Sequence, residues 1–282
     1  MAKKEKKPQE PQYYMSATNT AMMNYRVYVM KPFEKILFMA ALFIVGGLVG
    51  EVFYGGLFSE NGEATMLTTI SNIVVFTVVG LIAIKVFLPV VTEMLRTRRI
   101  KALKTQFRDF LAALSTSLSS GMNVPSALIN AKRDLEMQHG PGAFIVKEVD
   151  EMIVGTQNNI PVENLISEFG KRSGCDDISN FAIVFSTCYR TGGNLKDVIR
   201  RTSDIISQKI QIADEIETKL TSNKMQMYVM LVIPVVVVLM MKAMSAEFAA
   251  SFTSVIGVIA TTVSIGLFVA AYKIGQKITD IK

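Results

Sequence analysis

The sequence predicts an all-α polytopic membrane protein with four transmembrane helices and a six-helix cytosolic bundle built of helical hairpins. Apolar residues are concentrated towards the two ends of the 282-residue chain, in segments long enough to cross a bilayer core about 30 Å thick. The long middle part instead mixes charged and apolar residues at helical spacing, which is typical of amphipathic helices around a core. A membrane anchor and a water-exposed helical domain are therefore both expected.

Four apolar segments are the candidate spans: residues 36–58, 69–91, 227–244 and 252–272. The first lies too far from the N-terminus, and is too long, for the apolar part of a cleaved signal peptide. Lysines and arginines flank the spans on the sides that we assign to the cytosol, whereas the connector 59–64 carries two glutamates and no basic residue. Both termini and the middle domain are therefore predicted to be cytosolic.

These flanks divide the chain into five segments. Residues 1–33 form an N-terminal cytosolic tail, which we expect to be partly disordered. Residues 34–92 hold spans one and two, residues 93–224 form the cytosolic helical domain, residues 225–273 hold spans three and four, and residues 274–282 form a short cytosolic tail. The middle domain is therefore the expected place of function.

An internal repeat organises this domain into hairpins. The segment FLAALSTSLSSGMNV from Phe110 is similar to FAIVFSTCYRTGGNL from Phe181, an offset of 181 − 110 = 71 residues. A third copy of the turn begins at Asn159, where NIPVENL is similar to NVPSALI from Asn123, an offset of 159 − 123 = 36 residues. The repeat predicts three helical hairpins, each about 36 residues long, which is the second of these offsets.

Glycine and asparagine residues mark the predicted turns. A glycine can end one helix in the left-handed conformation, and an asparagine can cap the first turn of the next helix. A structural role is therefore the first explanation for Gly121, Asn123, Gly192, Gly193 and Asn194. A role in binding a partner stays open for the same residues.

Three apolar stripes at helical spacing predict which helix faces are buried. Their members are Phe107, Phe110, Leu111, Leu114 and Leu118 in the first, Val162, Leu165, Ile166 and Phe169 in the second, and Leu195, Val198, Ile199, Thr202, Ile205 and Ile206 in the third. We therefore expect the core of the domain to be built from these positions.

No catalytic motif is present: the sequence has no phosphate-binding loop, dinucleotide fingerprint, nucleophile elbow or zinc-protease motif. Its only histidine is His139, and its two cysteines, Cys175 and Cys188, have no second pair. No metal site and no cofactor are therefore predicted, and both cysteines are expected to be free thiols inside helices in a reducing compartment. We predict that the protein is not an enzyme.

Two charge features allow more than one interpretation. The net charge of +6 could indicate a nucleic-acid partner, but the basic residues flank the spans and are not interleaved with aromatic residues, so no nucleic acid is expected. The acidic residues Glu148, Asp150 and Glu151 could form a cation site. Because they lie on different faces of one helix, a solvated or partner-facing surface is favoured.

A small membrane transporter is one alternative function. Transporters place ionisable groups deep in their spans, where such groups are costly unless they bind cargo or a coupling ion. The four predicted spans carry almost none, and they leave little room for inverted repeats around a central site. A membrane-anchored helical scaffold of another complex is the second alternative.

The middle domain resembles the F-type domain of type II secretion and type IV pilus platform proteins. The resemblance covers about residues 107–220 and rests on three segments in order, which are SSGMNVPSAL, then EMIVG at Glu151 to Gly155, then RTGGNLKDVI from Arg190. One copy of this domain between two pairs of spans is similar to the tight-adherence (Tad/Flp) pilus assembly proteins of the TadB and TadC type.

This resemblance implies an inner-membrane platform protein on which a cytosolic ATPase docks, so that pilin subunits are lifted from the bilayer into a growing filament. The implied partners are that secretion or pilus-assembly ATPase, a second similar platform subunit or another copy of this chain, pilin subunits and the lipid bilayer. The predicted ATPase-facing surface comprises Glu151, Gly155, Arg190, Gly192, Gly193 and Asn194, with Arg96, Arg98 and Arg99 as a basic group next to the membrane.

Overall fold

A computed structural model describes residues 10–57 and 65–279 of the chain. Within these ranges it contains a two-stranded antiparallel sheet, β1 (Tyr13–Met15) paired with β2 (Ala21–Met23), and nine α-helices. The helices are α1 (Pro32–Tyr54), α2 (Met66–Ser119), α3 (Val124–His139), α4 (Phe144–Gln157), α5 (Val162–Ser173), α6 (Asp176–Thr191), α7 (Leu195–Met244), α8 (Ala246–Thr253) and α9 (Val255–Thr279). The connector 59–64, predicted to face away from the cytosol, lies outside the described residues.

The chain divides into two compact units. Among the described residues, unit 1 comprises residues 10–29 and Thr92–Ala213, and unit 2 comprises the remainder. Helices α2 and α7 are each continuous across a boundary between the units, so each contributes residues to both.

Apolar helices of unit 2 approach each other closely at small residues. A Cβ atom added to Gly46 of α1 would lie 2.5 Å from the Cβ atom of Ala83 of α2. The rings of Phe43 and Phe76 meet edge to face, with their centroids 5.4 Å apart. Small residues that let backbones approach are characteristic of helix pairs in lipid, where van der Waals packing stabilises the contact.

Two helices among the described residues are long and apolar enough to cross a membrane, namely α1 and α2. The segments Val232–Met244 and Glu247–Thr253 pass the same test only as a pair, and they are bent by 120° to each other. The apolar stretch of α9, Val255–Ala271, is shorter. The structure thus has two or three membrane-capable helices, and the predicted count of four spans is not confirmed.

The bend follows from a helix break at Ser245. Its side-chain oxygen accepts a hydrogen bond from the backbone N–H of Phe248 at 3.2 Å and so caps the start of α8. Serine is among the preferred residues at helix N-caps. The predicted third span therefore ends at a capped turn, and the predicted fourth span, 252–272, begins at the end of α8 and continues into α9.

The core of unit 1 is aromatic and aliphatic. Helix α3 packs on α4, α4 on α5, and α5 on α6. The ring of Phe107 lies 6.0, 6.0 and 5.4 Å, centroid to centroid, from the rings of Phe110, Phe169 and Phe181. These four side chains are at most 2% exposed. Burial of these rings, together with that of the aliphatic side chains around them, stabilises this unit.

Most members of the predicted stripes lie in this core or pack against it, whereas Val198 and Thr202 of α7 are only half-buried. Ile199 and Ile206 are buried, whereas Ile205 is 53% exposed. The prediction is therefore wrong for Ile205, because consecutive residues of an α-helix are separated by about 100° around its axis and Ile205 lies beside the buried face.

Residues 10–29, called the N-terminal strap below, pack on the helices of unit 1. The strands pair with Tyr13 opposite Met23. Beyond β2, Asn24 is fully buried and Tyr25 is 2% exposed, with the Tyr25 ring edge-on to Phe144 at 5.8 Å. Residues 10–29 of the predicted tail are therefore folded, and residues 1–9 lie outside the described residues. The strap has no clear apolar pattern in its sequence. Its position is fixed by contacts with helices that are distant in sequence.

Candidate functional site

The three repeated turns connect α2 to α3, α4 to α5, and α6 to α7. Each contains one residue with positive φ after the preceding helix, and these residues are Gly121 (83°), Asn159 (60°) and Gly192 (69°). Glycine adopts this conformation at little cost, and asparagine tolerates it better than most residues. The predicted helix-ending role of Gly121 and Gly192 is confirmed, and Asn159 occupies the equivalent position in the second turn.

Two asparagines cap the helices that follow the first and third turns. The Oδ1 atom of Asn123 accepts from the backbone N–H of Ser126 at 3.0 Å. The Oδ1 atom of Asn194 accepts from the backbone N–H of Asp197 at 3.3 Å, and its Nδ2 atom donates to the Asp197 carboxylate at 2.6 Å. The predicted capping role is confirmed for both residues.

The starts of α3 and α5 and the ends of α4 and α6 meet at one end of unit 1, called the turn end below. They surround a pocket of about 320 Å³ lined by Pro125, Thr156, Asn159, Ile160, Pro161, Val162, Glu163 and Tyr189. Helix α2 runs 119 − 92 = 27 residues from Thr92 to Ser119 within unit 1. The turn end therefore lies about 40 Å along α2 from the residue at which that helix enters the unit.

Glu163 places an acceptor without a hydrogen-bond donor in this pocket. Its side chain, in the first turn of α5, is 12% exposed. The Nε atom of Arg190 lies 3.9 Å from Glu163 Oε1, and the Arg190 side chain is 67% exposed. Glu163 Oε2 is buried and has no hydrogen-bond partner among the described residues. A buried acceptor in this condition costs free energy, because it loses its hydrogen bonds to water and gains none in the fold.

Sequence reasoning did not single out Glu163. An acidic residue in the first turn of a helix is common, because it interacts favourably with the positive end of the helix dipole. Only the approach of the α6 end and the α3 start around it makes the position unusual.

The predicted ATPase-facing residues fall into two groups. Arg190, Gly192, Gly193 and Asn194 are exposed at the turn end. Glu151 is only 9% exposed, and Gly155 is buried.

Gly155 is a close-packing residue between α4 and α5. A Cβ atom added to it would lie 2.6 Å from both methyl carbons of Leu165. Carbon atoms at this separation overlap strongly, so only glycine fits without a shift of one helix.

The three arginines predicted to lie next to the membrane, Arg96, Arg98 and Arg99, make different contacts. Arg96 donates to the carboxylate of Glu93 at 2.6 Å, and Arg98 is exposed. The guanidinium carbon of Arg99 instead lies 4.2 Å from the centroid of the Tyr28 ring, a cation–π contact with the strap. Arg99 therefore helps to hold the N-terminal strap.

Glu151 is the centre of a hydroxyl cluster formed by the strap. Its Oε1 atom accepts from the hydroxyl groups of Ser16, at 2.5 Å, and Thr18, and its Oε2 atom accepts from the hydroxyl group of Thr20 at 2.6 Å. Three donors from a segment more than 130 residues away in sequence satisfy this carboxylate. The strap is thus attached to α4 by polar contacts as well as by Tyr25.

One turn earlier on α4, Glu148 forms a buried ion pair with Arg172 of α5. The Nη2 atom of Arg172 lies 2.9 Å from Oε2 of Glu148, and the two side chains are 5% and 2% exposed. The Tyr25 hydroxyl donates to Oε1 of Glu148 at 2.9 Å, and Arg172 also donates to the backbone carbonyl of Met23 at 2.9 Å. The ion pair therefore joins α4, α5 and the strap.

The acidic group on α4 is therefore not a uniformly solvated surface. That interpretation holds for Asp150, which is 54% exposed and accepts from the Lys132 ammonium at 2.5 Å. It is wrong for Glu148 and Glu151, because distant residues that the sequence does not bring together supply their donors.

The pKa values of the two buried carboxyls move in opposite directions. Burial raises the pKa of Glu148, against the opposing effect of Arg172 and the Tyr25 hydroxyl. Burial also acts to raise the pKa of Glu151, but the hydrogen bonds from Ser16, Thr18 and Thr20 outweigh it and lower that pKa. The strap thus stabilises the ionised form of Glu151.

No group of three or more His, Cys, Asp and Glu residues in the described part of the chain is arranged to hold a metal ion. Cys175, which precedes α6 and is not inside a helix as expected, and Cys188 of α6 are both free thiols. The turn end offers a small open pocket, an exposed arginine and exposed turn residues. This combination suits the binding of another protein.

The described part of the chain contains two or three apolar helices that are long enough to cross a membrane, and a helical unit with its own core. Residues 110–243 match the model of the family described as Type II secretion system (T2SS), protein F, and this match supports the resemblance to the F-domain family. That family is found in inner-membrane platform proteins of secretion and pilus systems. No curated protein and no solved structure matches the chain.

Proposed function

We propose that this chain is an inner-membrane platform protein of a pilus-assembly or type II-like secretion machine, of the Tad/Flp type. In this role it couples a cytosolic ATPase to the extraction of pilin subunits and the growth of a filament, and it hydrolyses nothing itself. The match of residues 110–243 to the protein F family carries the proposal. The matched segment includes all three repeated turns.

The turn end is the proposed contact surface for the ATPase. Its exposed residues are Arg190, Gly192, Gly193 and Asn194. Their exposure makes them accessible to a partner. The turn end and the residue at which α2 enters unit 1 are at opposite ends of the part of α2 that belongs to this unit. Gly155 supports this end of the unit, because it lets α5 pack on α4 near Leu165, whereas Glu151 holds the strap.

Helix α7 supports the coupling step. It begins at Leu195, directly after the third turn, and continues as one helix to Met244. A displacement imposed on the turn by the ATPase is therefore applied to the first residues of a continuous helix that contributes to both units.

The proposed topology has four spans with both termini in the cytosol. The charged flanks support it, since basic residues favour the cytosolic side. The test is thiol labelling of intact cells that carry a single cysteine, Ser245→Cys, in a chain whose two native cysteines are replaced by serine. Labelling by a membrane-impermeant reagent is expected, because Ser245 lies between the third and fourth proposed spans. Protection of this cysteine until the cells are opened would exclude the four-span arrangement.

The functional test is co-expression of the full chain with the secretion-type ATPase of the same organism. Co-purification and stimulated ATP hydrolysis are expected with the unaltered chain, and both should be lost in the double variant Arg190→Glu, Asn194→Ala. The control is Arg133→Glu, an exposed arginine on α3 that bonds to Asn130.

Two outcomes contradict the proposal. If the folded, unaltered chain does not bind the ATPase, a scaffold role in another complex becomes the better explanation. If vesicles that contain the chain alone show substrate-dependent flux, a transport function replaces it.

A further inference from the structure

The N-terminal strap ends directly before the first apolar helix. Its last residue is Val29 and α1 begins at Pro32, so only Met30 and Lys31 lie between them. The peptide units from Val29 to Pro32 span at most about 11 Å. Helices α2 and α7 also run from one unit into the other. The strap is therefore a further covalent connection between unit 1 and a membrane-capable helix.

The two linking residues have little conformational freedom. Lys31 precedes a proline, which disfavours the helical region for it, and its backbone is extended, with φ −58° and ψ 146°. The ring of Pro32 fixes its own φ and is suited to the first turn of a helix. Met30 is only 9% exposed. The link is therefore short and restricted, unlike a flexible linker.

Arg99 of α2 holds the end of the strap that leads to α1. Its guanidinium carbon lies 4.2 Å from the centroid of the Tyr28 ring and 6.0 Å from that of Phe144 in α4. Its Nη1 atom also donates to Sδ of Met23 at 3.5 Å. Arg99 thus joins α2, α4 and the strap, and Tyr28 lies only four residues before Pro32.

The earlier part of the strap is held on α4 and α5. The Tyr25 hydroxyl donates to Glu148 at 2.9 Å, and its backbone N–H donates to the carbonyl of Arg172 at 2.9 Å. At the hairpin turn, the Glu151 carboxylate accepts from three strap hydroxyl groups. Buried polar groups are costly to separate from their partners. The strap is therefore attached to three helices of unit 1 along its length.

We infer that the strap is a mechanical link that carries displacements of unit 1 to α1, with Arg99 as the positioning residue at its end. This inference rests on the proposed function, since the ATPase supplies the displacement. A short link with restricted dihedral angles transmits a displacement that a flexible linker would absorb. Arg99 thereby has a role other than the ATPase contact predicted from the sequence.

The test measures whether α1 responds to the ATPase. An insertion of Gly-Ser-Gly-Ser between Met30 and Lys31 makes the link flexible and changes none of the residues that hold the strap. The full chain, with its two native cysteines replaced by serine, carries an environment-sensitive dye at Phe33→Cys, a position that is 77% exposed at the start of α1. It is placed in lipid nanodiscs with the ATPase.

A non-hydrolysable ATP analogue is expected to shift the emission of the dye when the link is native. The insertion should reduce this shift at least about fivefold, while the dissociation constant for the ATPase changes by less than about twofold. Because α1 also packs on α2, the insertion isolates the part of the response that passes through the strap. An unchanged shift in the chain with the insertion would overturn the inference.

The matched control carries the same insertion between Pro141 and Gly142, in the connection from α3 to α4. A Cβ atom on Gly142 would meet no heavy atom within 4 Å, so this connection has room for the added residues. The control should keep the full dye shift. Amide hydrogen exchange in β1 and β2 shows whether the strap is folded in each chain. An equal loss of the shift in the control would contradict a specific role of the strap.

A second variant keeps the test informative if the insertion disturbs folding. Arg99→Met removes the cation–π contact with Tyr28, and it should reduce the dye shift at least about threefold and make amide exchange in residues 24–29 about tenfold faster. Arg133→Met, at an exposed arginine on α3, is the control and should change neither. If Arg99→Met speeds exchange throughout α4 and α5 and leaves the dye shift intact, its role is structural and the inference is overturned.

Failure of this inference is distinguishable from failure of the proposed function. If the unaltered chain binds the ATPase but its dye does not respond, or responds equally with the insertion, only the role of the strap is wrong. If the unaltered chain does not bind the ATPase at all, the proposed function is wrong and the inference about the strap is overturned with it.

Discussion

Glu148 and Arg172 form an ion pair inside unit 1, with Arg172 Nη2 at 2.9 Å from Glu148 Oε2 and a second contact of 3.2 Å between Nη1 and Oε1. The side chains are 2% and 5% exposed. This two-point contact joins α4 to α5, and the Tyr25 hydroxyl adds the strap to it. A polar contact in the core therefore fixes the position of the N-terminal segment on the helices.

Arg172→Met is expected to destabilise the full chain by about 3–5 kcal/mol, because it leaves the Glu148 carboxylate buried without its counter-ion. Thermal or denaturant unfolding followed by circular dichroism measures the change. The exposed pair supplies the control, since Lys132→Met removes the partner of Asp150 at the surface and should cost less than about 1 kcal/mol. Equal effects of the two variants would contradict the buried position of Arg172.

Glu151→Leu is expected to release the strap while the helices stay folded. The substitution removes the acceptor of the Ser16, Thr18 and Thr20 hydroxyl groups. Amide hydrogen exchange in β1 and β2 should become about tenfold faster, since local opening needs less free energy. Asp150→Leu, at the exposed neighbouring position, is the control and should leave that exchange unchanged. Protection that persists in Glu151→Leu would show that the other contacts, at Tyr25, Arg99 and Arg172, are sufficient to hold the strap.

Gly155→Ala is expected to destabilise the chain by about 1–3 kcal/mol, because the new methyl group would overlap with Leu165 across the α4–α5 contact. Gly142→Ala is the matched control, since a Cβ atom at that position meets no heavy atom within 4 Å. Unfolding midpoints of the two variants give the comparison. Adding Leu165→Val to Gly155→Ala should recover part of the lost stability, and a failure to recover any would argue against this overlap.

Acidification should weaken the contact between α6, α2 and α7 through Asp177. Burial acts to raise the pKa of Asp177, but hydrogen bonds from Lys104 and Lys209 outweigh it and hold the pKa below the ordinary value of 3.8. A group with a lowered folded-state pKa contributes stability above its unfolded pKa and loses that contribution as the pH falls through the folded value.

The unfolding midpoint of the full chain should therefore fall as the pH is lowered below about 4, the ordinary range of an aspartate. Asp177→Asn should show a lower midpoint at pH 6 and a smaller fall on acidification. Glu136→Gln, a carboxylate outside this contact, should follow the unaltered chain. An Asp177→Asn midpoint that drops as steeply as the unaltered one would refute the role assigned to Asp177.

Much of the helical unit could be predicted from the sequence because its signals are local. The spacing of Phe107, Phe110 and Leu114 defines a buried face without any knowledge of its partner. The glycine and asparagine of each turn determine local backbone geometry, so the roles of Gly121, Gly192, Asn123 and Asn194 could be stated in advance.

The candidate site was less predictable because its members come from distant parts of the chain. Glu151 and Gly155 were chosen from a family-like segment, and their burial depends on the strap and on Leu165. Glu163 was overlooked, because the surroundings of its carboxylate are made by α3 and α6 and not by its own helix.

The sequence by itself determined the helical class, the repeated turns and the apolar segments, since helix periodicity, capping and apolar length are properties of neighbouring residues. Only the tertiary structure decided that the strap is folded, that Glu148 and Glu151 are buried with their donors, and that Glu163 Oε2 is buried without one among the described residues. These features depend on which side chains meet across large sequence separations. Whether a polar side chain is buried, and whether it finds a hydrogen-bond partner, depends on these long-range contacts and not on the conformational preferences of neighbouring residues.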